Sequence, residues 1–371
     1  MFKQILLTGA AAVLGLAASA GVTAARAQIH VAIAGPITGS NATFGAQMKE
    51  GGEQAVADIN AHGGVLGQKL VLDVGDDACD PKQAVSAANE LANKGVKVVD
   101  GHFCSSSSIP ASKVYTDEGI LQISPASTNP AFTDKGSWNT FRVCGRDDQQ
   151  GKVAGAYMAK HFKGKHIAII HDNSAYGKGL ADETKKYMNE AGLKETLYTP
   201  YVPGEKDYSA LVSRLKQADI DVIYLGGYQA EAGLIVRQAK EQGMNVTLIG
   251  GDALVTNEFW QITGPTGEGT LMTFPSDPRK RPSAAAVVKE FKDKNIDPEG
   301  YVLYTYAAMQ IWAEAANKAK STDPHKVAAE LKAGASWPSV LGAISFDSKG
   351  DVKVSDYVFY VWHNGSYAET M

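Results

Sequence analysis

Four consecutive serines, Ser105 to Ser108, stand where the sequence pattern predicts the start of a helix after an apolar strand. The first N–H groups of a helix have no partner inside it, so hydroxyl groups placed among them suit a carboxylate or another small anion. A second cluster of hydroxyls, between Ser124 and Thr128, follows the next predicted strand. A plainer interpretation of the same serines is that they only cap the helix.

Two acidic residues at other predicted strand ends could pair with a positive group. Asp147 follows Phe141-Arg142-Val143, and Asp252 follows the strand predicted at residues 246–249. Ligands of open parallel α/β sheets lie at the carboxyl ends of the strands, which makes these acids candidates for a binding site. Acids are also common in exposed turns, and that alternative stays open here.

Motifs of the common enzyme classes are absent from the sequence. It contains no P-loop, no G-x-S-x-G, no H-E-x-x-H and no G-x-G-x-x-G. His161, His166 and His171 are spaced five apart, which does not place them on one helical face for metal binding. His102 lies near Cys104, but no acid that could orient this histidine is identifiable. We therefore predict no catalytic residue, no metal site and no cofactor.

The composition is that of an ordinary globular protein. The chain has 371 residues, of which 44% are hydrophobic and 20% are charged, and this length favours about two domains. The formal net charge is −4, from 36 basic and 40 acidic residues. Because the chain has no excess of positive charge, we predict no nucleic-acid partner.

Residues 1–27 match an export signal. Lys3 supplies the positive start, residues 5–22 are apolar without a charge, and Ala25-Arg26-Ala27 fits the small-x-small cleavage rule. A membrane anchor is the alternative, but the apolar run is short for a bilayer and the cleavage motif follows directly. We predict cleavage after Ala27 and an exported mature protein that is not embedded in a membrane.

Export would place the cysteines in an oxidising compartment, where disulfides form. There are three, Cys79, Cys104 and Cys144, so one is left over. Cys79 and Cys104 each follow a predicted strand and could lie at adjacent strand ends. The sequence pattern alone leaves the connectivity open.

Two series of alternating strands and helices must position these residues. Predicted strands lie at residues 29–34, 69–74, 96–99 and 120–123, and again at 166–170, 194–201, 221–225 and 246–249. Such alternation predicts right-handed βαβ units and parallel sheets, and two series predict two doubly wound lobes. The tail is predicted to form helices at 284–294, 301–320 and 324–333 and β runs at 343–346 and 357–362. We expect this mixed tail to contribute to both lobes.

The sequence resembles the substrate-binding proteins of branched-chain amino acid ABC transporters, which are type I periplasmic binding proteins. The resemblance extends over essentially all of the mature chain. It is most specific in residues 45–67, 76–84, 101–107, 119–126, 147–149, 226–228 and 306–308.

The resemblance implies an α/β fold of two doubly wound, Rossmann-like lobes joined by a three-crossing hinge, the Venus-flytrap arrangement. The implied domains are a signal peptide at 1–27, an N-terminal lobe at 28–146 plus 276–353, and a C-terminal lobe at 147–275 plus 354–371. The implied function is non-enzymatic. A periplasmic monomer would capture an amino acid, most simply a branched-chain aliphatic one, and deliver it to the membrane permease of an ABC importer.

The resemblance also assigns roles to residues at matching positions. Ser105 and Thr128 would bind the ligand carboxylate, and the ligand ammonium would meet Asp147, Asp252 and the carbonyl of Ala126. The pocket for the ligand side chain would be formed by Phe44, Phe103, Tyr176 and Tyr228. Cys79 and Cys104 occupy positions that form a disulfide in relatives, which leaves Cys144 unpaired.

Two departures from the best-known relatives bear on specificity. Asp252 stands where they carry glutamate, and Phe44 stands where they carry tyrosine. Both changes could alter the depth of the pocket, so alanine, proline, γ-aminobutyrate or an amide are alternative ligands, for uptake or for sensing. A remote alternative is a secreted hydrolase that uses Ser105 or Cys104.

Overall fold

The computed structural model describes residues 28–370, and the predicted signal peptide lies outside them. The strands are β1 (Ile29–Gly35), β2 (Leu70–Asp76), β3 (Val98–Gly101), β4 (Leu121–Ser124), β5 (Thr140–Arg142), β6 (Ile167–His171), β7 (Leu197–Pro200), β8 (Val222–Gly226), β9 (Thr247–Gly250), β10 (Leu271–Pro275), β11 (Trp337–Ser339), β12 (Gly342–Ile344), β13 (Tyr357–His363) and β14 (Ser366–Glu369). The helices are α1 (Ala42–Ala61), α2 (Pro81–Asn93), α3 (Ser105–Asp117), α4 (Ala131–Asp134), α5 (Asp147–His161), α6 (Ala175–Glu190), α7 (Ser209–Gln217), α8 (Gln229–Glu241), α9 (Asn257–Thr263), α10 (Ala285–Asp293), α11 (Val302–Ala319) and α12 (Pro324–Lys332).

The first sheet is parallel throughout and has the strand order β2-β1-β3-β4-β5. Helix α2 begins as predicted, because the Asp80 side chain accepts hydrogen bonds from the N–H groups of Lys82 (2.8 Å) and Gln83 (2.9 Å). Helix α1 lies tightly on β1. A Cβ at Gly52 would lie 2.3 Å from Cδ1 of Ile33, so only glycine allows this approach.

The second sheet has the strand order β14-β13-β10-β9-β8-β6-β7. Its strands from β10 to β7 are parallel, whereas β13 pairs antiparallel with both β10 and β14. This antiparallel edge differs from the purely parallel sheets that the alternation of elements predicts. The β run predicted at 343–346 is instead part of a separate two-stranded sheet, β11-β12.

Helices α10 to α12 return to the first sheet after β10, as expected for a tail shared between lobes. Nε2 of Gln54 in α1 donates to Oε2 of Glu290 in α10 (2.9 Å), and α1 packs along α11. We therefore define the first lobe as β1–β5 with α1–α4 and α10–α12, and the second lobe as β6–β10, β13 and β14 with α5–α9.

The chain passes between these lobes at three places, which we call the crossings: residues 143–146, 276–284 and 352–356. The α/β fold with two doubly wound lobes is confirmed. The residue-by-residue lobe boundaries stay a prediction.

A disulfide joins Cys79, in the loop after β2, to Cys104, directly before α3, with Cα atoms 5.5 Å apart. This confirms the pairing that the resemblance implies. Cys144 is buried and is the free cysteine. Across residues 28–370, no helix is long and apolar enough to cross a membrane.

Candidate functional site

A cavity of about 200 Å³ lies between the two lobes at the carboxyl ends of their strands. Its walls are formed by Phe103, Ser105, Ala126, Tyr176, Tyr228, Asp252 and Ala253. The first lobe supplies the lining residues that follow β3 and β4, and the second lobe supplies those that follow β6, β8 and β9. The structure thus brings together most of the predicted site residues, although Phe44, Thr128 and Asp147 are not in the cavity wall.

Ser105 is the first residue of α3 and is 1% exposed. Its Oγ accepts a hydrogen bond from the N–H of Asn129 (3.2 Å). The residue before the helix is Cys104, and no side chain caps this end. Ser105 therefore does not act as a simple cap, and its hydroxyl keeps a proton for a ligand.

The neighbouring hydroxyls fall into two groups. Oγ of Ser108 and Oγ of Ser127 are 2.6 Å apart, and both lie within hydrogen-bond distance of the His102 carbonyl (3.0 and 3.2 Å), which makes them structural. Oγ1 of Thr128, in contrast, is fully buried and has no partner of standard geometry. A buried hydroxyl without a partner is costly, which singles out Thr128 as an open position.

Asp147 is the first residue of α5 and is fully buried. Neither of its carboxylate oxygens accepts a hydrogen bond of standard geometry. Burial raises the pKa of Asp147 well above its usual value, and the nearby Asp252 raises it further, whereas the Thr128 hydroxyl and the Arg142 guanidinium oppose the shift. An unpaired buried carboxylate is unfavourable, and a bound cation would relieve it.

Asp252, directly after β9, is 3% exposed and has its own donors. Its Oδ1 accepts from the Tyr176 hydroxyl (2.8 Å) and from Nε2 of Gln150 (2.9 Å), and its Oδ2 accepts from the Tyr301 hydroxyl. Burial raises the pKa of Asp252 to about 6, against the effect of the two tyrosine hydroxyls. Asp147 therefore has more free acceptor capacity than Asp252.

Aromatic rings close the site from both lobes. Phe103 stacks on Phe44 with ring centroids 4.4 Å apart, so Phe44 lies behind the cavity wall. The rings of Tyr176 and Tyr228 lie 5.2 Å apart on the opposite side. Tyr301 meets Phe103 edge-on at 5.1 Å.

Tyr301 and Gln150 contact Asp252, but the sequence patterns did not single out either residue. The signal for Tyr301 is an aromatic residue directly after Gly300, at the start of a predicted helix. Gln150 carries no signal of its own, because nothing in its neighbourhood predicts a contact with a residue 102 positions away.

A larger groove of about 660 Å³ lies against the crossings and is lined by Val143, Gly145 and residues 352–356 among others. None of the predicted ligand residues lines it, so its size alone does not make it the binding site. No group of histidine, cysteine, aspartate and glutamate that could hold a metal ion occurs in the part of the chain that the structure describes.

A family model described as "Periplasmic binding protein" matches residues 28–366. The chain belongs to the periplasmic binding protein family. Among its relatives in this family, the Leu/Ile/Val-binding protein homolog 1 of Brucella suis is 53% identical over 92% of each chain. The leucine-, isoleucine-, valine-, threonine- and alanine-binding protein of Pseudomonas aeruginosa is 42% identical and covers 95% of this chain and 94% of its own.

Solved periplasmic binding proteins have the same fold. The leucine-binding protein LivK of Thermotoga maritima superposes with a TM-score of 0.86 at 27% identity, covering 92% of this chain and 98% of its own. The branched-chain amino acid transporter substrate-binding protein LivJ of Streptococcus pneumoniae, solved with isoleucine, gives 0.84 at 26% identity with the same coverage. The resemblance stated from the sequence is thereby confirmed.

Proposed function

We propose that this protein is a periplasmic receptor that captures a branched-chain aliphatic amino acid between its lobes and delivers it to the permease of an ABC importer. The observation that carries the proposal is the small cavity between the lobes, whose wall includes Ser105 of the first lobe and Asp252 of the second. The names of its relatives from Brucella and Pseudomonas support the ligand class. We further propose that residues 1–27 are removed after Ala27 and that the mature protein acts as a monomer.

The residue roles follow from the chemistry of a zwitterion. Two opposite charges are expensive to remove from water unless each is matched inside the protein. Ser105, Thr128 and the start of α3 offer hydroxyl and N–H donors to a carboxylate. Asp147, Asp252 and the Ala126 carbonyl accept from an ammonium in charge-assisted hydrogen bonds, the strong kind.

The ligand side chain would contact the aromatic wall. Phe103, Tyr176 and Tyr228 line the cavity, and Phe44 supports Phe103 from behind. Because the first lobe holds the donors, the second lobe holds most of the acceptors, and each lobe supplies two of the aromatic residues, the contacts are complete only when the lobes are closed. That difference in contacts is what allows a ligand to favour the closed state.

A smaller ligand is the second candidate. Alanine, proline or γ-aminobutyrate would bring the same pair of opposite charges to the cavity. The Pseudomonas relative, whose name includes alanine and threonine, is consistent with a pocket that accepts small side chains.

Calorimetry on protein stripped of bound ligand, against all amino acids and γ-aminobutyrate, tests the proposal. We expect the branched-chain aliphatic amino acids to bind, and Ser105→Ala and Asp147→Asn to weaken binding by at least about 1.5 kcal/mol each, roughly tenfold. Asp148→Asn is the matched control, because this neighbour pairs with Arg146 (2.9 Å) at the surface. If none of these compounds binds, or if both variants keep the wild-type affinity, the proposal is overturned.

A further inference from the structure

Arg142, the last residue of β5, carries a guanidinium that is completely buried. Its Nε lies 2.7 Å from Oδ1 of Asp351. Its Nη1 donates to the carbonyl of Ser127, and its Nη2 donates to the carbonyl of Asn129 (3.0 Å) and to Oγ1 of Thr133 (2.8 Å). One side chain thus contacts two separate parts of the molecule.

The first of these parts is the loop of residues 126–129, which we call the ligand loop. It carries the carbonyl of Ala126 and the unpartnered hydroxyl of Thr128, and Arg142 holds the carbonyls on both sides of Thr128. The carbonyl of Thr128 itself accepts from the N–H of Asp147 (2.9 Å). The position of the ligand loop therefore depends on donors from the end of β5 and the start of α5.

The second part is the entrance to the third crossing. Asp351 directly precedes residues 352–356 and is 4% exposed. It accepts from the Thr133 hydroxyl (2.8 Å) and from Nη1 of Arg146 (2.7 Å), in addition to its contact with Arg142. The backbone adds a further contact, because the N–H of Arg142 donates to the carbonyl of Gly350 (3.0 Å).

Only an arginine can serve both parts at once. Its planar group presents five N–H donors in a fixed fork, whereas a lysine ammonium is a compact charge with three donors. At position 142, a lysine could remain paired with Asp351, but its single nitrogen could not also reach two carbonyls of the ligand loop in the same geometry. The arrangement therefore couples ion pairing at the crossing to the shape of the loop.

We infer that Arg142 is a positioning residue that connects the ligand loop to the third crossing through Asp351. The ligand loop keeps its binding geometry while Asp351, at the entrance to the third crossing, is paired with Arg142, and it relaxes when that contact is lost. The inference rests on the proposed function and deepens it, because it couples the position of the third crossing to the geometry of the ligand loop that would bind the ligand carboxylate.

Two sets of variants test this. Arg142→Lys keeps the charge next to Asp351, and Arg142→Met combined with Asp351→Leu replaces the buried pair by apolar side chains, a change that buried ion pairs often tolerate. The matched controls are Arg281→Lys, and Arg281→Met combined with Asp356→Leu. This second ion pair (2.9 Å) joins the second and third crossings at the surface.

The readouts are thermal unfolding, calorimetry with the amino acid that binds the wild-type protein, and hydrogen–deuterium exchange of the peptide that covers the ligand loop. We expect both Arg142 variants to fold, to bind at least about tenfold more weakly, and to exchange faster in the ligand loop but not in β1 or β2. The Arg281 variants should bind within about threefold of the wild-type protein. Lower stability alone would not speed exchange selectively in this loop, so the exchange pattern separates positioning from general destabilisation.

Each result counts for or against the inference. Wild-type affinity and wild-type loop exchange in either folded Arg142 variant would overturn it, and so would equal losses in the Arg281 controls. If Arg142→Lys does not fold, the same measurements on Arg142→Met combined with Asp351→Leu decide for or against the inference. If the wild-type protein binds no amino acid, the proposed function fails, but faster exchange of the ligand loop in the Arg142 variants would still support the coupling.

Discussion

The hydroxyl of Tyr301 donates a hydrogen bond to Oδ2 of Asp252, across the boundary between the two lobes. Tyr301 directly precedes α11 in the first lobe, and Asp252 directly follows β9 in the second. Both residues are almost fully buried. The contact therefore joins the two lobes directly, and separation of the lobes would break it.

Replacing Tyr301 by phenylalanine should weaken ligand binding. The variant removes a donor to a buried carboxylate, a loss of about 1.5–3 kcal/mol and so roughly tenfold or more in affinity. Calorimetry near neutral pH measures this change. Tyr306→Phe is the control, because its hydroxyl donates to Asp58 (2.9 Å) within the first lobe.

The pH dependence of binding gives a second readout for Tyr301→Phe. The Tyr301 hydroxyl lowers the pKa of Asp252, which burial raises to about 6, so its removal should move that pKa higher. If ionised Asp252 accepts from the ligand ammonium, affinity falls as pH decreases through this pKa. The decrease should then begin at a higher pH in the variant, and identical pH profiles would contradict this role.

Asp100, in β3, should make the protein less stable as the pH rises. It is 1% exposed, and neither carboxylate oxygen has a hydrogen-bond partner. Burial raises its pKa well above the usual value, so the folded state holds a proton that the unfolded chain releases near pH 4. Below about pH 4 the Asp100 side chain is neutral in both the folded and the unfolded state. Above this pH the unfolded chain ionises, so the free energy of unfolding falls until the pH reaches the raised pKa of the folded state.

The comparison of wild-type protein with Asp100→Asn isolates this cost. Between pH 4 and pH 7 we expect the wild-type free energy of unfolding to fall steadily relative to that of the variant. Denaturant unfolding at several pH values measures it. Asp117→Asn, at an exposed end of α3, should show no such trend. A difference that stays flat across this range would refute the burial effect.

Glu299, which contacts α9 of the second lobe, should also couple stability to pH. Its carboxylate oxygens accept from the N–H of Asn257 at the start of α9 (3.3 Å). Burial raises the pKa of Glu299 from 4.5 to about 7, Asp297 raises it as well, and the Asn257 N–H and Arg279 oppose the shift. Because the folded pKa lies above the unfolded one, the stabilising effect of protonation is complete below about pH 4.5 and is lost as the pH rises through about 7.

Thermal unfolding of wild-type protein and Glu299→Gln across this range measures the effect. The stability of the wild-type protein relative to the variant should decline by about 1–3 kcal/mol from pH 4.5 to pH 7, with partial exposure of the group reducing the full value. Glu205→Gln, at an exposed position, is the control. An increase of relative stability with pH would show the opposite sign and exclude this explanation.

Reduction of the disulfide should destabilise the protein and disturb the site. Cys79 and Cys104 are 25 residues apart, and a loop of that length corresponds to about 3 kcal/mol of stabilisation in the chain-entropy view. Thermal unfolding with and without reductant measures the change. The Cys144→Ala variant should respond to reductant like the wild-type protein, whereas the double variant Cys79→Ala with Cys104→Ala should not respond.

Several elements of the fold follow from local sequence. The Asp80-Pro81 pair predicts the start of α2 because an N-cap oxygen and a fixed φ act within one turn. Short β-branched runs predict β1, β6 and β8 with small errors at their ends. The export signal is local as well, although it lies outside the described residues.

Other elements depend on packing that local patterns do not record. Helix α5 was not predicted, since Gly151 and Gly155 weaken its helical propensity. In the structure these glycines let α5 lie against α6, where a Cβ at Gly155 would come within 2.5 Å of the Met188 nitrogen. Strands β10 and β14 were missed as well, because β10 is a short, fully buried run and β14 is held by pairing with β13.

The sequence by itself determined the two series of strands and helices, the residue types that can match a zwitterion, and, through the family resemblance, the disulfide. Only the tertiary structure decided which partner each polar group has. Tyr301 donates to Asp252, which lies 49 residues away in the sequence. Arg142 pairs with Asp351, and two of the three crossings lie between these residues along the chain. Such pairs form because a buried charge without a partner is costly, and which partner is near depends on how distant segments pack.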